Sequence, residues 1–362
     1  MSTVRELEKS DFAAWNQLVA ESPQGNVFLR AEWLEMLGDT DPDLHLLMLS
    51  CFDPEGQLIG GQAVTYVERW GMAVTAEFEF FYSGPVLAPQ DRKGRAHQMA
   101  KHGEITSALA EALATRLAYV DVEAHPSFRD ARPFLYAGWQ VEPVYTHIWR
   151  MDDPECTWRN MNREKRRDIR RAQEQFAFGV EVGDEVLDAF LPLYHETMLK
   201  FSWRPSVKWE AIFRRRFHWM RQRDGCRLYT ARTAEGELAA GVVVLLSRED
   251  ETAYLWRQGS GRAYVEAGGV PALYWHAACD LAPEFPNINF GGSPEPSLSR
   301  FKDYLGAEPV LHFRILKCNN RFRLSLLKRA QTIKDLAYNI VMPVAYGLWQ
   351  RLRHGDQMAE RS

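Results

Sequence analysis

Cysteine is scarce and scattered: Cys51, Cys156, Cys226, Cys279 and Cys318 are the only five in 362 residues, with no C-x-x-C pair and no zinc-finger spacing. That pattern excludes a disulfide scaffold and a structural zinc site and reads as reduced thiols in a cytosolic protein. An excess of one charge is missing too. Lys and Arg number 44 against 48 Asp and Glu, for a net charge of -4, so no global basic field argues for a nucleic-acid binder. Long apolar runs are absent. The longest uncharged stretch, Leu336 to Gln350, falls short of the ~20 residues needed to span a bilayer and contains Asn339 and Pro343. The opening "MSTVRELEKSDF" lacks the basic start and apolar middle of a secretion signal, and we expect a cytoplasmic protein. With no Ser-His-Asp order, no H-E-x-x-H and no Walker loop, covalent catalysis and metal use have no support.

What is present is a globular composition, 46% hydrophobic and 25% charged, in a chain long enough for two domains. The chain repeats one plan. "LHLLMLSCF" and "QLIGGQAVTYVE" flank the turn Asp53-Pro54-Glu55-Gly56, and "RLYTARTAEGELAAGVVVLLS" repeats strand, Glu235-Gly236 turn and strand. A further strand-like run follows each hairpin, "EFEFFYSGPVLA" and "ETAYLWRQGS". Next comes a helix: Ile105, Leu109, Leu113 and Leu117 make one apolar face in the first half, and Pro271 opens the second helix. Each half then has a short strand, "AYVDVEAH" or "NINFGG", a short helix, and a closing strand introduced by Glu142-Pro143-Val144 or Glu308-Pro309-Val310. The repeat length implies duplication of one α/β (α+β) domain. We expect domains at 1–152 and 181–318, a basic linker helix opening the second at 153–180, and a basic, apolar C-terminal tail at 319–362.

The linker carries the most concentrated charge. As one helix from Trp158 to Gln175 it puts Arg159, Arg163, Arg166 and Arg170 on a stripe, with Arg167 and Arg171 beside it. Such an excess attracts phosphate from a tRNA backbone, a nucleotide diphosphate, a lipid headgroup or coenzyme A. The bland alternative is a solvated helix paired with Glu164, Asp168 and Glu174. The tail is balanced between a packed helix and a segment lying on the inner face of an anionic membrane, since Arg321, Arg323, Lys328, Arg329, Lys334, Arg351 and Arg353 flank its apolar run.

The element order resembles the GNAT acyltransferase fold, and the tandem arrangement resembles its FemAB-like branch. The resemblance runs from about Phe28 to Ile315 and rests on "VFLRAEWLEML", "FYSGPVL", "REKRRDIRRAQEQFAFGVEV" and "INFGGSPEPSLSRFKDYLGAEPV" in that order. It implies two tandem GNAT-like domains, each a mixed, largely antiparallel sheet flanked by helices. It also implies transfer of an acyl or aminoacyl group to an amine of an envelope-related precursor, whether peptidoglycan, polysaccharide or lipid. Acyl-CoA or aminoacyl-tRNA would serve as cosubstrate, with no tightly bound cofactor, and the acceptor would carry phosphate or lipid. Two departures stand out. Between Asp184 and Gly225 there is room for only two short helices, not a long helical arm, and Asn289 occupies a position where an aspartate is expected. Alternatives are an acyl-CoA-dependent N-acyltransferase acting on a small molecule, and a non-catalytic, membrane-associated binding protein of the same fold.

By the resemblance, "QGSGRA" supplies Gln258, Gly261 and Ala263 to an acyl-CoA loop, and Tyr82 falls in the acceptor region. Lys302 is a candidate for neutralising a carrier phosphate or orienting the acyl group, beside Gly291 and Gly292, and otherwise a surface lysine. Asn289 is the second catalytic candidate. Trp203 and Arg204 form a loop pair that lines an acceptor pocket or marks a helix boundary. Trp256 and Arg257 sit on a strand bordering the cleft, where alternation lets only one of them face a ligand. His195 and His276 read as structural histidines on helices.

Overall fold

The computed structural model describes residues 3–319 apart from 70, 77–80, 90–93, 202 and 294. It divides into two units, Met1–Lys317 and Cys318–Ser362. Nearly all of the tail, with its expected helix and membrane contact, lies outside the described residues. No helix among those described is long and apolar enough to cross a membrane.

The first half comprises β1 (Thr3–Glu6), α1 (Phe12–Glu21), α2 (Ala31–Thr40), β2 (His45–Phe52), β3 (Leu58–Arg69), β4 (Met72–Thr75), β5 (Val86–Leu87), α3 (Arg95–Arg116), β6 (Tyr119–Glu123), α4 (Arg132–Tyr136) and β7 (Gln140–Arg150). There follow α5 (Pro154–Asn160), α6 (Arg163–Gln175), β8 (Ala177–Glu181), α7 (Asp184–Leu199) and α8 (Val207–Arg221). The rest is β9 (Cys226–Arg232), β10 (Leu238–Ser247), β11 (Thr252–Ser260), α9 (Arg262–Glu266), α10 (Val270–Leu281), β12 (Asn287–Gly292), α11 (Pro296–Tyr304) and β13 (Glu308–Cys318).

Local chemistry explains many of these boundaries. Asp53 Oδ1 accepts from the backbone N–H groups of Glu55 and Gln57, and Gly56 takes φ +81°, which closes the β2–β3 hairpin. Gly236, at φ +85°, does the same for β9–β10. The Ser206 hydroxyl caps α8 by accepting from Trp209 N–H at 3.1 Å. The linker is two helices, not one: Met161 is extended and Asn162 caps a new helix by accepting from Glu164 N–H at 2.8 Å. Arg159 therefore sits on α5, and the stripe that remains on α6 is Arg163, Arg166, Arg167 and Arg170.

The strands form one sheet in the order β1-β2-β3-β4-β6-β13-β7-β12-β11-β10-β9-β8, with β5 beside β3. Pairing is parallel for β4 with β6 and β11 with β12, and antiparallel along β1-β2-β3-β4, β13-β7-β12 and β11-β10-β9-β8. The two closing strands have changed places: β13 lies against β6 of the first half and β7 against β12 of the second. Their Glu-Pro-Val segments run antiparallel about a local centre, with Glu308 opposite Ile148, Leu311 opposite Tyr145 and Phe313 opposite Pro143. Where Pro143 falls, β7 has already lost β12 as a neighbour, so the missing N–H costs no ladder bond on that side.

Packing crosses the halves as well. One cluster joins Trp15, Phe28, Trp33 and Leu34 from the α1–α2 region to Phe190, Phe213, Phe217, Tyr254 and Trp256. Val27 N–H donates to Ser247 Oγ, and the buried Arg216 guanidinium of α8 donates to Thr40 Oγ1 of α2. On the opposite sheet face, α3 and α4 cover the first half, and α6 and α10 the second. Burying each such large apolar side chain contributes about 1.5–3 kcal/mol. We keep residues 1–152 and 181–318 as the proposed duplicated units.

Candidate active site

The parallel neighbours β11 and β12 pair only from Thr252–Asn287 to Tyr254–Asn289. Beyond that vertex β11 continues to Ser260 and β12 to Gly292, so the two strands part and leave backbone groups facing a gap. On the β12 side the register with β7 also breaks between Asn289 and Gly292, where Gly291 takes φ +71°. A side chain at Gly291 would be strained there.

The vertex is closed by buried polar groups. Asn289 Oδ1 accepts from Thr146 Oγ1 at 2.6 Å and from Gly291 N–H at 2.8 Å, while its Nδ2 donates to Tyr82 Oη at 3.0 Å. The amide uses donor and acceptor together and shapes the end of β12. Burial pushes the Tyr82 phenol well above the ordinary tyrosine range, against its hydrogen bonds, so it stays protonated at neutral pH. The Tyr82 ring stands edge-on to Tyr254, His125 and His312. Around it His125 Nε2 lies 3.4 Å from Asp250, which also accepts from Tyr254 Oη, and His312 Nε2 lies 2.8 Å from Glu123. Among the described residues His312 Nδ1 is buried without a hydrogen-bond partner, whereas the Glu123 carboxylate is 43% exposed.

Lys302 reaches from α11 beneath β12. Its ammonium donates to the carbonyls of Phe290, Gly291 and Gly292 at 2.9, 2.8 and 2.7 Å. Its three hydrogens are thus matched by three acceptors, and burial pushes it down to about 8.

The wall formed by β11 departs from simple alternation. Leu255 pairs with Val244 and Arg257 with Val243, so Trp256 is an extra residue. At this bulge the Arg257 guanidinium lies 4.6 Å from the Trp256 ring centroid. The expectation that only one of them faces a ligand rests on strict alternation, which the inserted residue interrupts. Arg257 Nε is buried and has no hydrogen-bond partner among the described residues, an unusual state for a charged donor.

At the far end of β11, Gln258 bonds to Ser260 Oγ. Gly261 N–H donates to Ala239 O, and Ala263 lies exposed on the short α9. The longer helix begins only at Val270, with Pro271 in its first turn. Trp203 is partly exposed and packs on Tyr194 and Trp209, in an aromatic group that reaches Trp256 through Phe213; Arg204 is exposed. The structure thus gathers Tyr82, Asn289, Lys302, Trp256 and Arg257 at the gap. Arg166 and Arg170 stay on the outer side of α6, whose Ile169 and Ala172 enter the cluster on the other sheet face. His195 lies 3.7 Å from Glu210, and His276 packs on Phe178 and Tyr229. Sequence reasoning missed Thr146, Glu123 and His312, which meet their partners across 143 and 189 residues with no local motif.

Two parallel strands that part beside a glycine-rich strand end, in a mixed sheet flanked by helices, define a GNAT-type acyltransferase fold. The Acetyltransferase (GNAT) domain model matches residues 159–303. No curated protein matches the chain. Among solved structures, FemX is 11% identical at a TM-score of 0.63, over 86% of this chain and 96% of that one. A tandem GNAT protein from the clavulanic acid biosynthesis pathway is 14% identical at 0.50, over 87% and 98%. L-PGS from Bacillus licheniformis is 13% identical at 0.52, over 89% and 96%. At such identities the likeness is one of fold. The chain has a tandem GNAT fold, and its residues 159–303 match the GNAT acetyltransferase domain.

Proposed function

We propose that this protein transfers an acyl or aminoacyl group from an activated carrier to an amine on a cell-envelope-related precursor. The carrying observation is the gap beyond Tyr254 and Asn289, where β11 and β12 no longer pair and a backbone N–H can be turned on a carbonyl. The amine nitrogen attacks that carbonyl carbon and forms a C–N bond. The bond to the carrier sulfur or oxygen breaks, and the proton lost by the amine balances the one taken by the leaving group. Glu123, held by His312 and open to solvent, is our candidate to accept the proton, and Arg257 to steady the carrier or the acyl oxygen. The modest lengths of α7 and α8, where a long arm would stand, favour a coenzyme A ester as donor.

Thermal-shift measurements with coenzyme A, acetyl-CoA, longer acyl-CoAs and charged tRNA test the donor, because a ligand bound only by the native state raises its midpoint. We expect a rise with a CoA ester and release of free thiol once an amine acceptor is added. A shift with charged tRNA alone would move the donor to aminoacyl-tRNA, and no thiol release with any acceptor would sink the CoA-dependent reading. Loss of one charge-assisted contact is worth ~1.5–3 kcal/mol, so Arg257→Ala should lower kcat/KM about 10- to 100-fold without lowering the melting midpoint.

A further inference from the structure

Three histidines around the crossing of the closing strands each meet a carboxylate, and the three pairs differ in kind. His125 Nδ1 accepts from Ser127 N–H at 3.2 Å, which leaves its other nitrogen to face Asp250; that carboxylate is buried and already takes the Tyr254 hydroxyl. His147 follows Thr146 on β7 and so points to the opposite sheet face, away from Tyr82, where its Nε2 stands 3.3 Å from Asp303 of α11. His312 alone combines a buried ring with a carboxylate open to solvent, Glu123 Oε2 at 2.8 Å. Arg314, two residues on along the same face of β13, is committed to Asp121 at 2.8 Å. The backbone at Glu123 is held from both sides. Its carbonyl accepts from the N–H groups of Ser83 and Gly84 at 2.9 and 3.1 Å, and Ala124 N–H donates to Phe313 O at 2.8 Å. A Cβ on Gly84 would lie 2.6 Å from Ala124 Cα, so this close approach admits only glycine.

Of the two neutral forms of the His312 ring, only the one with its hydrogen on Nε2 donates to Glu123. The other would bury an N–H at Nδ1 with no acceptor among the described residues and set a lone pair against a carboxylate. We propose that His312, in the Nε2–H form, is the positioning residue for Glu123: it holds Oε2 and leaves Oε1 to take the proton of the incoming amine. This rests on the acyltransferase reading. As the C–N bond forms, a proton passes from the amine nitrogen to Glu123 Oε1. The carrier sulfur or oxygen leaves with the bonding pair and takes a proton from water, and transfer of the proton on Glu123 to the hydroxide so formed restores the carboxylate. Tyr82 ties the pair to the gap, since its ring stands edge-on to His312 at 5.4 Å and its Oη is bonded to Asn289 at the vertex. Burial first, and the Glu123 and Asp250 charges after it, keep that phenol protonated, so Tyr82 does not compete for the amine proton.

Nitrogen-15 NMR of the whole protein with labelled histidine reads the ring without turnover, the His312 signal being assigned by its loss in His312→Gln. We expect the hydrogen on Nε2, a bare Nδ1, and a displaced signal in Glu123→Gln. A hydrogen on Nδ1, or a signal indifferent to Glu123→Gln, overturns the proposal. Thiol release from acetyl-CoA with ethanolamine as acceptor reads the role in turnover. His312→Leu removes one charge-assisted contact and should lower kcat about 10- to 100-fold with the KM for acetyl-CoA unchanged. His312→Gln, whose amide nitrogen reaches as far as Nε2, should keep most of the rate. In a Glu123→Gln background His312→Leu should cost nothing further, because it acts through Glu123. Equal losses in the Leu and Gln variants, or losses that multiply in the double variant, would make His312 a packing residue and overturn the proposal. If His312→Leu disturbs folding, the NMR signal of the wild type and of Glu123→Gln decides alone. No thiol release from the wild type, with the His312 ring in its expected form, would count against the acyltransferase reading and not against the His312–Glu123 pair.

Discussion

Lys302 shows how a residue chosen for chemistry can be held by structure. Its ammonium gathers the carbonyls of Phe290, Gly291 and Gly292, which have turned out of the ladder where β12 leaves β11. Replacing it with methionine keeps the stem but strands three acceptors, and we expect Lys302→Met to cost about 3 kcal/mol in denaturant unfolding, whatever it does to turnover. Nearby, His147 is held below the ordinary histidine range by burial first and by the Lys302 charge second, with Asp303 opposing. The folded state therefore resists a proton that the unfolded chain accepts. The corresponding stability is present above the ordinary histidine range and is lost as pH falls through it. His147→Gln should accordingly show a smaller drop in melting midpoint than the wild type between roughly pH 7 and pH 5.

Among the elements, β11 holds a tight spot and the residue that follows it an open one. A Cβ on Gly259 would come within 2.5 Å of the Tyr194 backbone nitrogen on α7, whereas one on Gly261 would meet nothing nearer than 3.5 Å. Gly259→Ala should lower stability by ~2 kcal/mol or more, through displacement of α7. Gly261→Ala should leave the melting midpoint unchanged, so any loss of coenzyme A affinity in that variant reports on the loop alone. This contrast marks what the sequence makes legible. The hairpin turns, the buried Ile105–Leu109–Leu113 face of α3 and the start of α10 at Pro271 follow from chemistry within a few residues. The bulge at Trp256 leaves no mark in "YLWRQ", because it depends on how β10 lies beside it. The break at Asn162 was readable as a capping residue, but the density of charge around it suggested one continuous helix. The polar vertex was half visible: Tyr82 and Asn289 stand in recognisable motifs, while Thr146, His312 and Glu123 become neighbours only once the closing strands have crossed.

For the molecule as a whole, the crossing of β7 and β13 means that each half is completed by the last strand of the other. Residues 1–152 alone have no strand to set between β6 and β7, and residues 153–319 alone have no β7 to pair with β12 or β13. We expect neither piece to fold by itself, as judged by near-ultraviolet circular dichroism, and the intact protein to unfold in one calorimetric transition over Met1–Lys317. Two separate transitions would refute that coupling. The same crossing bears on how the protein is made. At ordinary translation rates the ribosome needs about 10–30 s to proceed from the end of β7 to the start of β13, and through that interval the nascent first half exposes the flanks of an unfilled slot in its sheet. Birth of this chain therefore includes a period of dependence on whatever shields open strand edges in the cell.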